Sequence, residues 1–318
     1  MATKYTNTGN KDTRSGFGAG LLEAGRQDDR VVALCADLTG SLKMDAFVKE
    51  FPERFFQCGI AEANMIGTAA GLALTGKIPF AGSFAEFVTG RVYDQVRQEV
   101  AYGNTNVKIA SSHAGITLGE DGATHQTMED IALMRALPSM VVINPCDYNQ
   151  TKAATIAAAK YEGPVYLRFG RPSWPNFTAE DQEFVIGKAI CMNEGSDVTI
   201  FATGHLVWEA IGAAEILEAE GISAEVIDIA TIKPLDTDAV LASIKKTVAA
   251  VCAEEHNVCG GLGELIAGVL ACNYPAPLEF INGGDKFGQS GTPAGLLKEY
   301  GMDSAHIAEA AKRAISRK

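Results

Sequence analysis

A single glutamate stands near the start of an otherwise apolar stretch, GIAEANMIGTAAGLALTG (59–76). No lysine or arginine lies between Arg54 and Lys77, so the sequence offers Glu62 no local cation. Apolar surroundings disfavour the charged form of a carboxyl group and raise its pKa. We therefore interpret Glu62 as a candidate proton relay. The simpler alternative is a surface acid in the first turn of a helix, where the helix dipole stabilises a negative charge.

A second candidate site is the loop HAGITLGEDGATHQ (113–126), which directly follows the apolar stretch VKIASS (107–112). Two of the five histidines, His113 and His125, lie in this loop with Asp121 between them. Imidazoles hydrogen-bond hydroxyl and phosphate oxygens and exchange protons near neutral pH. The loop lacks HxxxH spacing and a nearby cysteine, so zinc is not expected. A flexible polar surface loop is the alternative.

Aromatic and basic side chains provide weaker signals. Phe84 and Phe87 lie three residues apart at the start of a predicted helix, a spacing that suits either a core face or the wall of a cofactor pocket. Arg168 and Arg171 lie on either side of Gly170 at the end of a predicted strand and suit an anion, although solvated or interface arginines fit equally well. The glycine series CGGLGEL (259–265) lacks the GxGxxG spacing and the GK[ST] ending, so we assign it no nucleotide role.

Helical and strand patterns alternate along the whole chain. The predicted strands are continuous apolar runs, at 31–37, 55–58, 78–83, 107–112, 140–145, 165–170, 197–204, 223–229, 248–255 and 278–283. The intervening helices include one long helix over 84–102. Continuous apolar strands suit parallel sheets that are covered on both faces. The sequence therefore predicts an α/β fold with two parallel-sheet domains, 1–172 and 189–318, joined by a linker over 173–188.

Composition narrows the class of protein. The chain has 318 residues, of which 47% are hydrophobic and 21% charged, which is enough for two globular domains. A formal charge of −12 argues against nucleic acid or an anionic membrane as a partner, and an anionic substrate would need a local cluster of positive groups. Seven scattered cysteines suggest reduced core thiols. With no signal-peptide pattern and no membrane-spanning apolar run, we expect a cytoplasmic protein.

Four segments together resemble the carboxyl-terminal two-thirds of a transketolase: GIAEANM (59–65), SFAEFV (83–88), SHAGITLGEDGATHQ (112–126) and EEHNVCGGLGE (254–264). The resemblance covers essentially the whole chain. It implies the pyrimidine-binding domain of a thiamine-diphosphate enzyme, followed by a transketolase C-terminal domain. Full-length members also begin with a domain whose GDG segment holds the diphosphate and the metal. This chain has no GDG, so it is similar to one subunit of a split transketolase.

For the cofactor, the resemblance implies that Glu62 hydrogen-bonds the aminopyrimidine ring and favours its imino tautomer, which makes Glu62 both catalytic and cofactor-binding. Three further cofactor-binding residues are implied: Phe84 and Phe87, which stack on the pyrimidine, and Asp37, near the subunit interface. A third stacking aromatic is expected at the position of Gly90, and Tyr93 is a candidate replacement.

For the substrate, the resemblance implies a catalytic role for His113, which together with Asp121 meets the donor's hydroxyl groups. The remaining implied residues bind the sugar phosphate: Arg14, Ser41, His125 and Arg171. Three of these four are potentially cationic, which would supply the local positive cluster that an acidic chain needs for an anionic substrate.

The resemblance implies transfer of a two-carbon ketol unit from a ketose phosphate to an aldose phosphate, with thiamine diphosphate as cofactor. A separate N-terminal subunit would hold the diphosphate and Mg²⁺ or another divalent metal, so no metal site is expected in this chain. The implied assembly is α2β2.

Other functions stay open at this point. The nearest is another thiamine-diphosphate subunit, either a ketol transferase for a specialised sugar or a 2-oxo acid dehydrogenase β chain. A non-catalytic scaffold paralogue is a second alternative. A Rossmann-type nucleotide binder is disfavoured because no glycine fingerprint follows the first strand.

Overall fold

Two mostly parallel sheets organise the chain, one in each half. The structure is a computed structural model that describes residues 5–318. The first half contains β1 (Asn10–Asp12), α1 (Thr13–Gln27), β2 (Val31–Cys35), α2 (Asp45–Glu50), β3 (Phe55–Gln57), α3 (Glu62–Leu74), β4 (Ile78–Phe84), α4 (Ala85–Thr89), α5 (Tyr93–Gln95), a π-helical stretch (Val96–Tyr102), β5 (Lys108–Ser112), α6 (Asp130–Ala136), β6 (Val141–Ile143), α7 (Tyr148–Lys160), β7 (Val165–Arg168) and β8 (Ser173–Pro175).

The second half repeats the alternation on a smaller scale. It contains β9 (Ile190–Asn193), β10 (Val198–Ala202), α8 (Leu206–Ala219), β11 (Ala224–Asp228), β12 (Thr231–Lys233), α9 (Thr237–Thr247), β13 (Ala250–Ala253), α10 (Leu262–Asn273), β14 (Leu278–Ile281), α11 (Pro293–Glu299) and α12 (Ser304–Ile315). Across residues 5–318, no helix has the length and apolar character needed to cross a membrane.

The strand orders confirm the predicted α/β fold of two parallel-sheet domains. The seven-stranded sheet runs β12-β6-β7-β5-β4-β2-β3, and all its neighbours are parallel except β12 and β6. The five-stranded sheet runs β14-β13-β10-β11-β9, with only β9 antiparallel. β12 comes from the second half of the sequence yet forms an edge of the first sheet, so the two halves are interlocked. The domain boundaries at 172 and 189 stay a prediction.

The core continues from one half into the other. On one face of the seven-stranded sheet, α1 and α7 pack through residues such as Phe17 and Leu21. On the other face, side chains from α3 and α6 share one cluster with Phe201 and Leu262 of the second half. Burial of apolar surface is the main favourable term in folding, so this shared cluster binds the halves together.

The parallel register brings four site candidates to one edge. β2, β4, β5 and β7 are consecutive parallel neighbours, so their carboxyl ends lie side by side. Asp37, Phe84, His113 and Arg171 each end or closely follow one of these strands. Ligand sites of α/β proteins form at this edge of the sheet.

The prediction of one continuous helix over 84–102 is wrong. The segment divides into α4, α5 and the π-helical stretch, with the break at Gly90, Arg91 and Val92. Glycine is a poor helix former, costing about 1 kcal/mol relative to alanine, and Val92 leaves helical geometry with φ −120° and ψ 26°. The break places Arg91 within reach of Glu62, at the start of α3.

The segment predicted as a linker, 173–188, makes specific contacts with the first half of the chain. Its strand β8 pairs antiparallel with β1, and buried Asp147 accepts hydrogen bonds from the backbone N–H groups of Phe177 (2.8 Å) and Thr178 (2.7 Å).

The cysteines confirm the prediction of core thiols only in part. All seven cysteines are free, but only Cys35, Cys146 and Cys252 are buried, so the prediction of core thiols is wrong for most of the others: Cys191, Cys259 and Cys272 are exposed, and Cys58 is partly buried.

Buried Asp228, which contacts Gln150 of the first half, should make the stability of the chain depend on pH. Asp228 ends β11, and its Oδ2 accepts a 2.5 Å hydrogen bond from Gln150, while its Oδ1 is buried without a partner. Burial raises the pKa of Asp228 to about 7, although the Gln150 hydrogen bond acts in the opposite direction. The carboxyl pKa of an unfolded Asp is about 3.9, so the folded chain binds more protons between about pH 4 and 7. Asp228 therefore lowers stability as pH rises through that window.

We predict that Asp228→Asn, which resembles the protonated acid, removes this loss. Relative to the unmodified chain, the variant should gain stability progressively between pH 4 and 7, reaching a few kcal/mol. Urea unfolding at pH 5 and pH 8 measures the gain, with Asp29→Asn as the control because Asp29 is exposed. An equal pH dependence in both chains would contradict the prediction.

Candidate active site

Glu62 is buried at the start of α3, with 4% of its surface exposed. Ser83 Oγ donates to Glu62 Oε1 over 3.3 Å, and a guanidinium nitrogen of Arg91 lies 3.3 Å from Glu62 Oε2. The expectation that Glu62 has no nearby cation is therefore wrong. Arg91 reaches it from the helix break, 29 residues further along the chain. A search of neighbouring sequence positions misses such a partner.

Aromatic rings gather at the carboxyl ends of β4 and β5. Phe84 stacks on Phe87 with ring centroids 5.7 Å apart, and on His113 with centroids 3.7 Å apart. His125 meets the edge of Phe87 at 5.5 Å. The structure thus brings together four of the predicted site residues, from β4, α4 and the 113–126 loop. Both histidines of the loop pack against these phenylalanines, which disfavours the alternative of a flexible surface loop.

His113 is held as a neutral imidazole. Its Nδ1 lies 2.5 Å from Ser112 Oγ, and its backbone is left-handed at φ 61°. Burial lowers the pKa of His113 to about 3, and the positive charges of Arg14 and Arg171 act in the same direction. His113 therefore carries no charge at neutral pH. A neutral imidazole is suited to hydrogen bonding rather than to the proton exchange that the sequence suggested.

Arg14 lies in the first turn of α1 and connects to the turn before α2. One guanidinium nitrogen donates to the carbonyl of Ser41 over 3.1 Å, and Nε lies 3.3 Å from Asp12. The structure thus brings Ser41 to Arg14 through its backbone. Asp12 partly neutralises the guanidinium, and Asp12 also caps α1 by accepting from the backbone N–H of Ser15.

Arg171 bonds to the 113–126 loop. A guanidinium nitrogen donates to the carbonyl of Leu118 over 2.9 Å and to Glu120 Oε2 over 2.7 Å. The Glu120 side chain is 59% exposed, so this ion pair is one that solvent weakens. Because both Arg14 and Arg171 act on the pKa of His113, the two cations and the aromatic cluster share one electrostatic environment.

Three predicted residues lie apart from the cluster. Asp37 is exposed in a left-handed turn at φ 59°, where its backbone N–H donates to Gln57. Asp121 is exposed at the tip of the loop. Within residues 5–318, neither carboxylate hydrogen-bonds a member of the aromatic cluster. Tyr93, the candidate replacement for the aromatic expected at Gly90, packs against the hydrophobic core instead.

Glu255 from the second half anchors the 113–126 loop on its buried side, a role that the sequence alone does not predict. Its Oε2 accepts from the Thr117 backbone N–H (2.9 Å) and from Thr117 Oγ1 (2.8 Å), while Oε1 lies 3.4 Å from His205 Nδ1. Gly115, at φ 81°, packs so closely on Glu255 that any Cβ there would collide with the carboxylate. The only sequence signal was the position of Glu255 within the EEHNVCGGLGE segment.

Arg168 is a structural residue rather than an anion site or a solvated arginine. It is buried, and its Nε donates to Asp130 Oδ2 over 2.7 Å. Another guanidinium nitrogen donates to the carbonyl of Glu255 over 2.8 Å. The pair therefore joins β7 and α6 of the first half to the same segment that holds the loop.

Within the described residues, one group of metal-type ligands lies close together: Cys191, Glu194 and Glu225. Lys246 Nζ lies 2.5 Å from Glu225 and 3.2 Å from Glu194, so a positive charge already occupies the group. We assign it no metal.

Two family models match the two halves of the chain. The transketolase pyrimidine-binding domain matches residues 10–176, and the transketolase C-terminal domain matches residues 187–307. The first match contains the aromatic cluster, and the second contains Glu255. Together the models cover most of the described chain.

Individual relatives match over nearly the full length of both chains. A provisionally named transketolase C-terminal section from Methanocaldococcus jannaschii is 50% identical over 302 residues, which is 94% of this chain and 95% of the relative. A 6-deoxy-6-sulfo-D-fructose transketolase subunit from a Clostridium species is 46% identical and is covered to 92%. A solved split-gene transketolase, described as an inactive β4 tetramer, superposes with a TM-score of 0.90 at 44% identity, over 98% of this chain and 100% of that chain.

We predict that Glu255→Ala destabilises the chain by about 2–4 kcal/mol, because it removes the acceptor of both Thr117 hydrogen bonds and leaves the buried Thr117 backbone N–H unpaired. Urea unfolding measures the loss. Glu255→Gln keeps an acceptor oxygen and should lose less, and Glu299→Ala, at an exposed acid, serves as the surface control. Equal stability of the Glu255→Ala and Glu299→Ala chains would refute the anchoring role.

Proposed function

The chain belongs to the transketolase family, and on that premise we propose that it is the C-terminal subunit of a split transketolase. With a separate N-terminal subunit, it transfers a two-carbon ketol unit from a ketose phosphate to an aldose phosphate. The observation that carries the proposal is buried Glu62 beside the Phe84–Phe87 pair, at the carboxyl edge of a parallel sheet. Two relatives that match over more than nine-tenths of their own length, one named a section and one a subunit, support the division into two chains.

The residues present fit the pyrimidine part of thiamine diphosphate. Phe87 offers an aromatic surface for stacking, and Glu62 offers a buried carboxyl group for a ring nitrogen. When bound, thiamine diphosphate supplies the carbanion chemistry that ketol transfer requires. The role of Glu62 is to hold a proton at the ring nitrogen, in surroundings from which water is largely excluded. Ser83 orients the Glu62 carboxyl group by its hydrogen bond to Oε1.

Other residues of the chain would bind the sugar. Neutral His113, fixed by Ser112 and by stacking on Phe84, is placed to hydrogen-bond a hydroxyl of the donor. Asp121, exposed at the loop tip, would meet a second hydroxyl. Arg14, Ser41, His125 and Arg171 would bind the anionic end, where a guanidinium matches the geometry of a phosphate.

The partner subunit would supply the diphosphate and Mg²⁺ sites. Asp37 lies exposed at the edge of the sheet, where a second chain would approach the cofactor. Near Glu62, Ile60 is 79% exposed and Phe56 is 38% exposed, and large exposed apolar groups beside a functional site favour a protein partner. We propose an α2β2 assembly in the cytoplasm.

A second candidate is ketol transfer from a sulfonated rather than a phosphorylated sugar. The relative named for 6-deoxy-6-sulfo-D-fructose is 46% identical to this chain. A sulfonate is also a compact oxyanion, so the same Arg14 and Arg171 pair would accept it. The identity of the anionic group is therefore a question for substrate comparison.

One prediction of the proposed function is that activity depends on the N-terminal partner subunit. Xylulose 5-phosphate and ribose 5-phosphate, with thiamine diphosphate and Mg²⁺, should give ketol transfer only when this chain is mixed with the chain that carries the GDG segment. Glu62→Gln should lower turnover of the mixture by at least about a hundredfold, because the proton at the ring nitrogen is lost. The rate of ketol transfer and the size of the assembly are measured together.

The matched control is Glu99→Gln, which removes an exposed acid beside the same helix α3. Full activity of this chain alone would refute the need for a partner. Near-normal activity of Glu62→Gln would refute its catalytic role. A complex that forms but transfers neither the phosphorylated donor nor 6-deoxy-6-sulfo-D-fructose would favour a non-catalytic subunit.

Another prediction of the proposed function is that Arg171 binds the anionic group of the sugar. Arg171→Ala should raise the KM for phosphorylated sugars by about tenfold or more with little change in kcat, because a charge-assisted hydrogen bond to the anion is lost. Glu120→Gln is the matched control, since it frees Arg171 from its loop partner but leaves the guanidinium in place. An equal loss with unphosphorylated ketoses would show that Arg171 does not bind the phosphate.

A further inference from the structure

Four side chains form one stacked column at the candidate site. The centroids of His113 and Phe84 lie 3.7 Å apart, and those of Phe84 and Phe87 lie 5.7 Å apart at an angle of 24°. The guanidinium carbon of Arg91 lies 4.0 Å from the centroid of the Phe87 ring. With these neighbours Phe84 is only 9% exposed. Arg91 lies over one face of the Phe87 ring.

Arg91 also pairs with the acid. Its guanidinium nitrogen lies 3.3 Å from Glu62 Oε2, so one side chain contacts both groups that the proposed function assigns to the pyrimidine ring. Half of the Arg91 side chain is exposed, whereas Glu62 is buried. Arg91 lies between α4 and α5, and its half-exposed side chain is the partner that is able to move into solvent.

A pyrimidine ring and Arg91 would compete for the same place. A pyrimidine ring that stacks on the face of Phe87 next to Arg91 needs the volume that the Arg91 guanidinium fills. The contact with Arg91 also engages Glu62 Oε2, so a ring nitrogen would have to displace Arg91 to hydrogen-bond this oxygen. The cation–π contact of the half-exposed Arg91 corresponds to about fivefold or less in an equilibrium constant, so this contact is readily exchanged. The carboxylate of Glu62 is buried and would be costly to leave without a partner. The ring would then replace Arg91 as the hydrogen-bonding partner of buried Glu62.

We propose that Arg91 occupies the pyrimidine site of the unliganded subunit and swings out when the ring of the cofactor enters. The inference rests on the proposed function and deepens it. In the absence of cofactor, Arg91 neutralises Glu62 and shields Phe87 from water. As a result, the single chain binds the pyrimidine weakly, and firm binding needs the additional contacts that the partner subunit makes to the cofactor.

The test is binding of 4-amino-5-hydroxymethyl-2-methylpyrimidine, the free pyrimidine half of thiamine, to the isolated chain. Calorimetry or ligand-observed NMR gives the Kd without any enzymatic reaction. Arg91→Ala should bind this probe about tenfold more tightly than the unmodified chain. Arg91→Lys, which keeps the charge but not the planar group, should fall between them. Arg97→Ala, at an exposed arginine of the same segment, should leave the Kd unchanged.

Weaker or equal binding by Arg91→Ala would overturn the proposal, because Arg91 would then be a permanent wall of the site or lie outside it. Absence of binding by both chains would overturn it too, since something other than Arg91 would be closing the site. A melting curve for each variant confirms that it is folded. Failure of the proposed function is separate: it appears as a two-chain mixture that binds no thiamine diphosphate and transfers no ketol unit.

Discussion

The loop at 113–126, which carries most of the proposed substrate groups, is held in place by a carboxylate from the other half of the chain. Glu255 accepts two hydrogen bonds from Thr117, and Arg168 joins the carbonyl of Glu255 to Asp130. Buried carboxylates are costly unless they are hydrogen-bonded, so these groups permit few other arrangements. The position of His113 thus depends on how the carboxyl ends of the two sheets face each other, and the second half has a direct part in forming the site.

The charged pair behind the loop, on its buried side, differs in solvent exposure from the charged pairs in front of the loop, on its ligand-facing side. The Arg168–Asp130 pair is almost completely buried and has no access to a ligand. In front, Glu62 pairs with Arg91, and Arg171 pairs with Glu120, and each pair has at least one partner that is a third or more exposed. Buried pairs are expensive to break, whereas exposed pairs contribute little and exchange readily. A ligand with a ring and an anionic group could therefore replace Arg91 and Glu120 as pairing partners without disturbing the buried Arg168–Asp130 pair.

The sequence predicts features that follow from local periodicity. Alternating helices and apolar strands give two mostly parallel sheets, and the positions just after the strands bring Phe84, His113 and Arg171 to one edge. Features that depend on contacts between distant segments were not predictable in this way. The pairing of β12 with β6 and the anchoring of the loop by Glu255 have no local pattern. The break near Gly90 was also missed, since helix propensity is only a weak guide in a folded protein.

The error about Glu62 is itself informative. The sequence has no cation between Arg54 and Lys77, but a buried carboxylate must either bind a proton or find a partner. The apolar character of α3 therefore implies a partner from elsewhere in the fold, and Arg91 is that partner. A partner that a ligand is to replace needs a side chain that is able to move into solvent. Arg91 meets this condition, because its side chain is half-exposed and it lies in the break between α4 and α5.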